Sequence, residues 1–539
     1  TYHKTSSGAG GDYRFLNPEM INSFDELFKL FHKVLAVNLA DRTEAIKSKY
    51  SKVPYLNSSL FEISELEDQT LRINSLDNDG KLELIKGSII SSTLPGKVGM
   101  GKLPTLDYLF RFLDAYDFAS EGTEDVQEDN KTLITASVLG KVFEKINGYK
   151  DGSIFTPAFI TMYMCKQSIR LAVVEKFIPF FNTDAFASSE GIGTVNSIQD
   201  IYELIGNKVS RKQANELINS IKICDPAVGS GHFLVSALNE IIAIKSELGI
   251  LMDENGKTLR DYEIEIVNDE LIITDENGNI FAYNPANAES NRVQKTLFRE
   301  KQTIIENCLF GVDINPNSVK ICRLRLWIEL LKNAYYKFPS IEPMPSLQAK
   351  ASVTQKYGNN SSSFGGGWGG ELETLPNIDI NIKCGNSLLS RFSLDADLSK
   401  ALKSIKYDIN AYRGFVNDYK NEKNREVKRG LQQIIDGIKA DFKTEISKND
   451  SKQIKLNKLG GELYNLLNQG NLFELDAKQK KKQKETLAKL ETDISKLKKE
   501  IDDIKSNAIY KNAFEWRFEF PEVMNNEGDF EGFDVVIAN

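Results

Sequence analysis

The segment Ile221-Lys-Ile-Cys-Asp-Pro-Ala-Val-Gly-Ser-Gly-His-Phe-Leu234 has residue types at a spacing that can hold a nucleotide-like ligand. An apolar strand ends at Asp225, Gly229 and Gly231 form a tight turn, and a helix begins near His232. Glycines let the backbone approach a ligand, the helix N-terminus offers free N–H groups, and a strand-end carboxylate accepts a cationic or hydroxyl group. Taken alone, a glycine-rich strand–turn–helix fits equally well a turn that only packs helix on strand.

The surrounding sequence gives the elements that must position this turn. Residues 1–150 read as a mainly helical region, with apolar residues at helical spacing in Phe24–Phe31 and Leu106–Phe118 and a strand or two within Lys81–Ile90. Residues 151–250 hold two helical stretches around the strand Ile221–Cys224. Residues 251–300 form a β-rich insertion, with Asp-Glu-Asn-Gly turns between runs such as Glu263–Val267 and Glu270–Thr274. Residues 301–395 return to helix–strand–helix and contain a Gly/Ser/Asn-rich loop at 357–370. Across 396–510, apolar residues step by three and four, first along Leu402, Ile405, Ile409, Tyr412, Val416 and Tyr419. They do so again from Leu487 to Ile504, which predicts an antiparallel helical hairpin. Residues 511–539 end on Val-Val-Ile-Ala, read as a buried parallel strand.

Composition narrows the classes. At 41% hydrophobic and 27% charged residues, the chain is an ordinary globular protein, and its 539 residues can bury several cores without staples. Five scattered cysteines without a C-x-x-C pair and only three histidines argue against a disulfide framework, and no metal site is expected. There is no membrane-length apolar run and no signal pattern, so a cytoplasmic location with no membrane partner is expected. The formal charge of −8 disfavours nucleic-acid binding through the whole surface, while leaving room for a local basic groove.

Asp225-Pro-Ala-Val-Gly-Ser-Gly-His-Phe233 resembles the D-P-A-x-G-S-G-x-F cofactor motif of DNA amino-methyltransferases, specifically the gamma-class adenine-N6 enzymes that include the Type IIG restriction–modification proteins. Further segments resemble that family's motifs in the expected order. They are Phe155-Thr-Pro-Ala-Phe-Ile160, Leu309-Phe-Gly-Val-Asp-Ile-Asn-Pro316 with Ile321–Trp327, and Leu375–Leu388. Phe533-Asp-Val-Val-Ile-Ala-Asn539 resembles the strand leading into N-P-P-Y, cut after its first residue. Pro54–Asn57, Leu60–Glu62 and Phe514–Pro521 are also similar to Type IIG sequences.

The resemblance implies an α/β, Rossmann-like S-adenosylmethionine-dependent methyltransferase fold, with a helical N-terminal region and a helical-hairpin insertion. It also implies residue roles. Asp225, Pro226, Ala227, Gly229 and Gly231 would hold the methionine part of S-adenosylmethionine, with Asp225 meeting its ammonium. Asp313 would accept from the ribose hydroxyls, although it follows Asp225 by far more than the roughly 20 positions of a compact unit. Thr156 and Pro157 would border the methionine end, Asn386 would contact the cofactor adenine, and Phe233 would pack nearby. Asn539 would be the surviving catalytic residue, its side-chain oxygen accepting a hydrogen of the target amine in a base flipped from duplex DNA.

The expected activity is methyl transfer to adenine-N6 in specific double-stranded DNA. Because the chain stops inside the catalytic motif, the reading expects a fragment that is inactive alone. The specificity domain would be missing from it, and any nuclease would lie outside it. Two alternatives remain: a cytosine-N4 methyltransferase, and a non-catalytic cofactor-binding scaffold of a restriction complex. Gly96–Lys102 fits most of a phosphate loop, but Leu103 replaces the required hydroxyl, so no ATP site is expected. The basic run Lys478–Lys484 reads as a solvated helix face.

Overall fold

The computed structural model describes residues 18–539, except chiefly 91–100, 118–131, 143–155, 181–196, 338–370, 373–380, 391–393, 395–406, 470–476, 507–511 and scattered positions between 51 and 64 and between 135 and 141. The Gly-rich loop at 357–370, most of the 96–102 loop, Phe155 and most of 54–62 lie outside the described residues.

In chain order, the elements that build the site begin with helix α1 (Ala158–Phe177), strand β1 (Ile223–Asp225) and helix α2 (His232–Glu247). A hairpin of β2 (Tyr262–Val267) and β3 (Glu270–Asp275) follows, then α3 (Ala288–Asn307), β4 (Leu309–Asp313) and α4 (Pro316–Leu331). After β5 (Ile382–Cys384) come α5 (Ile409–Asn421), α6 (Arg425–Asn449), α7 (Ser451–Gln469), α8 (Ala477–Ser506) and finally β6 (Val535–Val536).

Four of the strands form one parallel sheet in the order β5–β4–β1–β6. The register sets Asp225 opposite Gly311 and Cys384 opposite Asp313, so the carboxyl ends of all four strands share one edge. β1 and most of β4 are buried on both faces, as parallel strands covered by other elements must be. Ile223, Leu309, Ile382, Val535 and Ile537 point into the main core with α1, α2, α3 and α4. α2 is buried almost all round from His232 to Lys245, which explains why it carries so little amphipathic pattern. On the other face, Cys224, Phe310 and Val312 meet Val523 and an aromatic layer of Phe514 and Phe520, with Trp516 and Phe533 at its margin.

Two expectations change here. Among the described residues, the helical stretch divides into four helices, not two arms. Asn424 breaks the first seam, its Oδ1 accepting from the N–H groups of Glu426 and Val427 as a helix cap. The α5–α6 pair then buries Ile409, Tyr412, Val416, Ile435, Ile438 and Phe442 against Phe518 and Met524, from the segment that supplies the aromatic layer. The last strand also differs. Val535 and Ile537 are buried, but Val536 is 65% exposed, because β6 is an edge strand among the described residues and only one of its faces is covered.

N-terminal to this body, Ile21, Phe24, Leu27, Leu30, Val34 and Tyr50 share a small core with Leu106 and Phe110. Arg42 is buried there and donates to the carbonyls of Val34, Val37, Tyr50 and Val53.

In the main body, Lys245 is fully buried, donating to Glu300 at 2.6 Å and to Asn219 at 2.5 Å. Removing one partner of such a pair leaves a charge without compensation, whereas removing both leaves an apolar contact. Lys245→Met is expected to lower unfolding free energy by roughly 3–5 kcal/mol, and Lys245→Met with Glu300→Leu to recover most of it, as read from denaturant unfolding.

Candidate active site at the carboxyl ends of the parallel strands

The turn after β1 is built almost entirely from backbone groups. Val228 N–H donates to the Val312 carbonyl at 2.9 Å, and Gly231 N–H closes the turn on the Val228 carbonyl at 2.8 Å. Gly229 N–H donates to Asp313 Oδ2 at 2.8 Å, while Asp313 Oδ1 accepts from Asn315 N–H at 2.7 Å. The end of β4 therefore holds the turn after β1 in place. Each carboxylate oxygen can accept twice, so Asp313, which is only half-buried, keeps acceptor capacity.

Both glycines are required, for different reasons. Gly229 and Gly231 have φ of +52° and +83°, in the left-handed region that side chains disfavour. A Cβ on Gly231 would stand 2.8 Å from Cys322 Sγ, so its absence lets α4 pack directly behind the turn. A Cβ on Gly229 would meet only the Ala227 carbonyl, at 3.9 Å, so the space on that side is open. Gly385, after β5, is closed in the same way as Gly231, with Phe514 2.7 Å from where its Cβ would lie.

Asp225 ends β1 with 1% exposure, and its Oδ1 accepts from Ala227 N–H at 3.0 Å. Burial pushes its carboxyl up to about 7; the Ala227 bond opposes this and the Asp313 charge adds to it. A buried acid in that state favours a cationic partner. His232 is buried behind the turn, and burial together with the Arg325 charge holds its imidazole down at about 3, so it is neutral. Ser230 Oγ is buried with no hydrogen-bond partner among the described residues.

The other sequence-selected residues divide into two groups. Asn386 lies at the same sheet edge, its N–H bonded to the Asn512 carbonyl and its Oδ1 accepting from Leu388 N–H at 3.1 Å. Thr156 and Pro157 precede α1, and Thr156 Oγ1 accepts from Asn539 Nδ2 at 2.8 Å, joining residues 383 positions apart. Pro226 and Ala227 line the outer side of the turn, with Ala227 exposed. Phe233 points instead into the main core at the start of α2, where its carbonyl meets Cys165 Sγ.

Sequence reasoning passed over Arg325 and Asp269, which stand behind the turn. Arg325 Nη1 lies 3.3 Å from the Ser230 carbonyl. The Asn268-Asp269 pair between two β-rich runs marks a hairpin, but nothing in its sequence says that its tip is buried. Among the described residues, no group of three His, Cys, Asp or Glu side chains can hold a metal ion, and no helix is long and apolar enough to cross a membrane.

The glycines give a direct contrast. Gly231→Ala forces a left-handed φ and a clash with Cys322, and is expected to cost roughly 2–4 kcal/mol of stability. Gly229→Ala meets open space and should cost only about 1–2 kcal/mol. Denaturant unfolding of the two variants measures the difference.

Comparison with known proteins finds similarity over parts of the chain. Residues 1–134 match a family described as a domain of unknown function (DUF7814), and residues 307–539 match the family described as Eco57I restriction-modification methylase. A protein of Methanocaldococcus jannaschii, provisionally named a type II restriction enzyme and methyltransferase, is 26% identical over 98% of this chain. The chain spans 38% of that relative's length. No solved structure matches. The glycine turn lies outside the segment matched by the methylase family, while Asp313, Asn386 and Asn539 lie within it. Over residues 307–539 the chain is similar to restriction-modification methylases.

Proposed function

We infer that this chain is the methyltransferase part of a restriction–modification enzyme, with a Rossmann-like core, that transfers a methyl group from S-adenosylmethionine to adenine-N6 in duplex DNA. The observation that carries this is the convergence of Asp225, Asp313, Asn386 and Asn539 on the carboxyl edge of one parallel sheet. That edge is where open α/β sheets bind their ligands.

The cofactor fits the residues present. Asp225 offers a buried acid for an ammonium, and the turn leaves room beside Gly229 where a side chain would intrude. Ser230 supplies a hydroxyl with no hydrogen-bond partner among the described residues. Asp313 and Asn386, both partly exposed, have remaining acceptor capacity for ribose hydroxyls and an adenine edge. When bound, S-adenosylmethionine supplies a methyl group activated by its sulfonium.

The chain's own residues supply orientation. The exocyclic amine of adenine is a poor nucleophile because its lone pair is delocalised into the ring. An amide oxygen that accepts one of its hydrogens favours a more tetrahedral, electron-rich nitrogen. Asn539 directs its Nδ2 to Thr156, which leaves Oδ1 as the acceptor toward the base. Thr156 thus tethers the carboxamide at the sheet edge. The base must leave the duplex to reach this site.

Three measurements test the reading. Calorimetric titration should show S-adenosylmethionine binding that is lost in Asp225→Ala and weakened in Asp313→Ala; a well-folded chain that binds none would overturn it. Because Asp225 must be ionised to meet an ammonium, affinity should fall as pH drops through 7, becoming about tenfold weaker at pH 6 than at pH 8. The sign for stability is opposite. The folded state holds this proton more tightly than the unfolded chain, so the carboxyl costs stability progressively from pH 4 to pH 7 and fully above it. Asp225→Asn should therefore raise Tm at pH 8 while losing the ligand. Finally, nucleoside analysis of DNA methylated by the full-length protein should give N6-methyladenine, with N4-methylcytosine as the outcome that reassigns the base. Thr156→Val should slow that methylation about tenfold or more.

A further inference from the structure

Sequence resemblance singles out Phe514-Glu-Trp-Arg-Phe-Glu-Phe-Pro521, yet neither the glycine turn nor the Asn539 contact uses it. This segment reaches back to the loop that carries Asn386. The loop, residues 385–390, leaves β5 at the edge of the sheet among the described residues. Gly385 N–H is bonded to the Asp313 carbonyl, but the bonds that follow are local. Leu388 N–H donates to Asn386 Oδ1 at 3.1 Å, and Leu389 N–H to the Asn386 carbonyl at 3.2 Å. These shape a turn without fixing where it stands. Apolar packing adds little on the outer side, since Leu388 is 91% exposed.

The segment after the helical insertion supplies the long-range contacts. Asn386 N–H donates to the Asn512 carbonyl at 2.6 Å, and Phe514 N–H to the Leu389 carbonyl at 2.8 Å, around a parallel bridge between Asn386 and Ala513. Two side chains complete the clamp. Trp516 Nε1 donates to the Ser387 carbonyl at 3.1 Å, across 129 positions, and the Ser390 hydroxyl donates to Glu515 Oε2 at 2.5 Å. An indole N–H can only donate, so a loop carbonyl is a fitting partner for it. The direction of that N–H is set by the aromatic layer, where the Trp516 ring lies 4.9 Å from Phe514 and 5.6 Å from Phe533, centre to centre. Helix α5 anchors the other end of the segment: Tyr412 Oη donates to the Phe518 carbonyl at 2.7 Å and Arg413 Nε to the Pro521 carbonyl at 3.1 Å.

We propose that Trp516 and Glu515 are positioning residues for the adenine end of the cofactor: they hold the Ser387 carbonyl and the Ser390 hydroxyl, and so set where the Asn386 carboxamide stands at the sheet edge. Trp516 acts through Asn386, as a support behind the loop. The effect on the ligand rests on the functional reading above, whereas the placement of the loop does not. The helical insertion shares in this support, because α5 fastens the segment that carries both residues.

The test has two arms, separated so that each reading can fail alone. In the first, hydrogen–deuterium exchange of the ligand-free chain is followed in peptides covering residues 385–390, with those covering α3 as reference. Trp516→Phe keeps an aromatic ring and removes the N–H. It should speed exchange in the loop about fivefold or more without changing α3, and Ser390→Ala should do so about twofold. Unchanged loop protection in folded variants would overturn the proposal. If Trp516→Phe fails to fold, Ser390→Ala carries this arm.

In the second arm, calorimetry compares S-adenosylhomocysteine with S-inosylhomocysteine, which carries a carbonyl in place of the adenine amine. An Asn386 oxygen that accepts from that amine should make the wild-type chain prefer the adenine ligand about tenfold or more. Trp516→Phe should reduce this preference to about threefold or less. Asn386→Ala should abolish it, and adding Trp516→Phe to Asn386→Ala should change the ratio no further. If Trp516→Phe weakens both ligands equally and keeps the ratio, its role is only structural and the proposal falls. If the wild-type chain binds neither ligand, or both equally, the reading of the site falls and the exchange arm alone decides whether Trp516 positions the loop.

Discussion

One carboxylate ties together the two halves of the edge formed by the carboxyl ends of the strands. Asp313 ends β4, yet one of its oxygens receives the N–H of Gly229 from the neighbouring turn while the other caps its own turn at Asn315. The Val228–Val312 backbone bond lies beside it. These contacts set the height of the glycine turn above the sheet. Everything else at the edge is placed relative to that level: Asp225 below the turn, Gly385 bonded to the Asp313 carbonyl on one side, and the Asn539–Thr156 contact on the other side of the sheet. The constraint works only because the positions behind it lack side chains. Gly231 admits Cys322, Gly385 admits Phe514, and Gly311 leaves room for Val228. Backbone density at this edge is thus obtained by omitting Cβ atoms where helices and loops close in.

The two faces of the sheet are held by different chemistry. One packs aliphatic side chains against α1–α4 in a continuous core that also encloses charged pairs such as Lys245–Glu300 and Lys301–Glu329. The other meets an aromatic layer contributed by residues 514–533, in which Phe514, Trp516, Phe520 and Phe533 pack edge to face or tilted against one another and against Phe310 of β4. The helices α5 and α6 rest on the far side of that layer, and Glu519 is held there by Lys383 from β5 and Lys439 from α6. Burial alone would raise the Glu519 carboxyl, yet its two lysines pull it down to about 2. The helical insertion is therefore fastened to the sheet edge by charge as well as by apolar contact.

Much of the site was legible because it is written locally. A strand ending in Asp225, two glycines and a helix start occupy ten consecutive positions, and the turn they form follows from backbone stereochemistry alone. Asp313 was legible as a strand end, but its bond to Gly229 was not, since no local signal links them. The meeting of Thr156 with Asn539 depends on the whole sheet being assembled. The burial of Asp269 was hidden for a related reason: an Asn-Asp turn between two strands looks like solvent-facing hairpin chemistry, and only the packing of three helices around it makes it interior. The seams of the 396–510 stretch showed helices, but their periodicity could not show that Asn424 would cap a new helix.

The order of strands has a consequence for synthesis. β1 and β6 are neighbours in the sheet, yet the contact beside them, between Lys222 and Asp534, closes a loop of 312 positions. At about 5–20 residues per second, β1 leaves the ribosome roughly 15–60 s before β6 exists to cover its edge. During that interval the hairpin of β2 and β3 and the helix pairs α5–α6 and α7–α8 can form from contacts close in sequence. The open side of β1 must wait, as an unpaired strand able to accept a foreign partner. The long helical insertion thus sets a delay during translation, and the nascent chain is most exposed to mispairing while that insertion is being made.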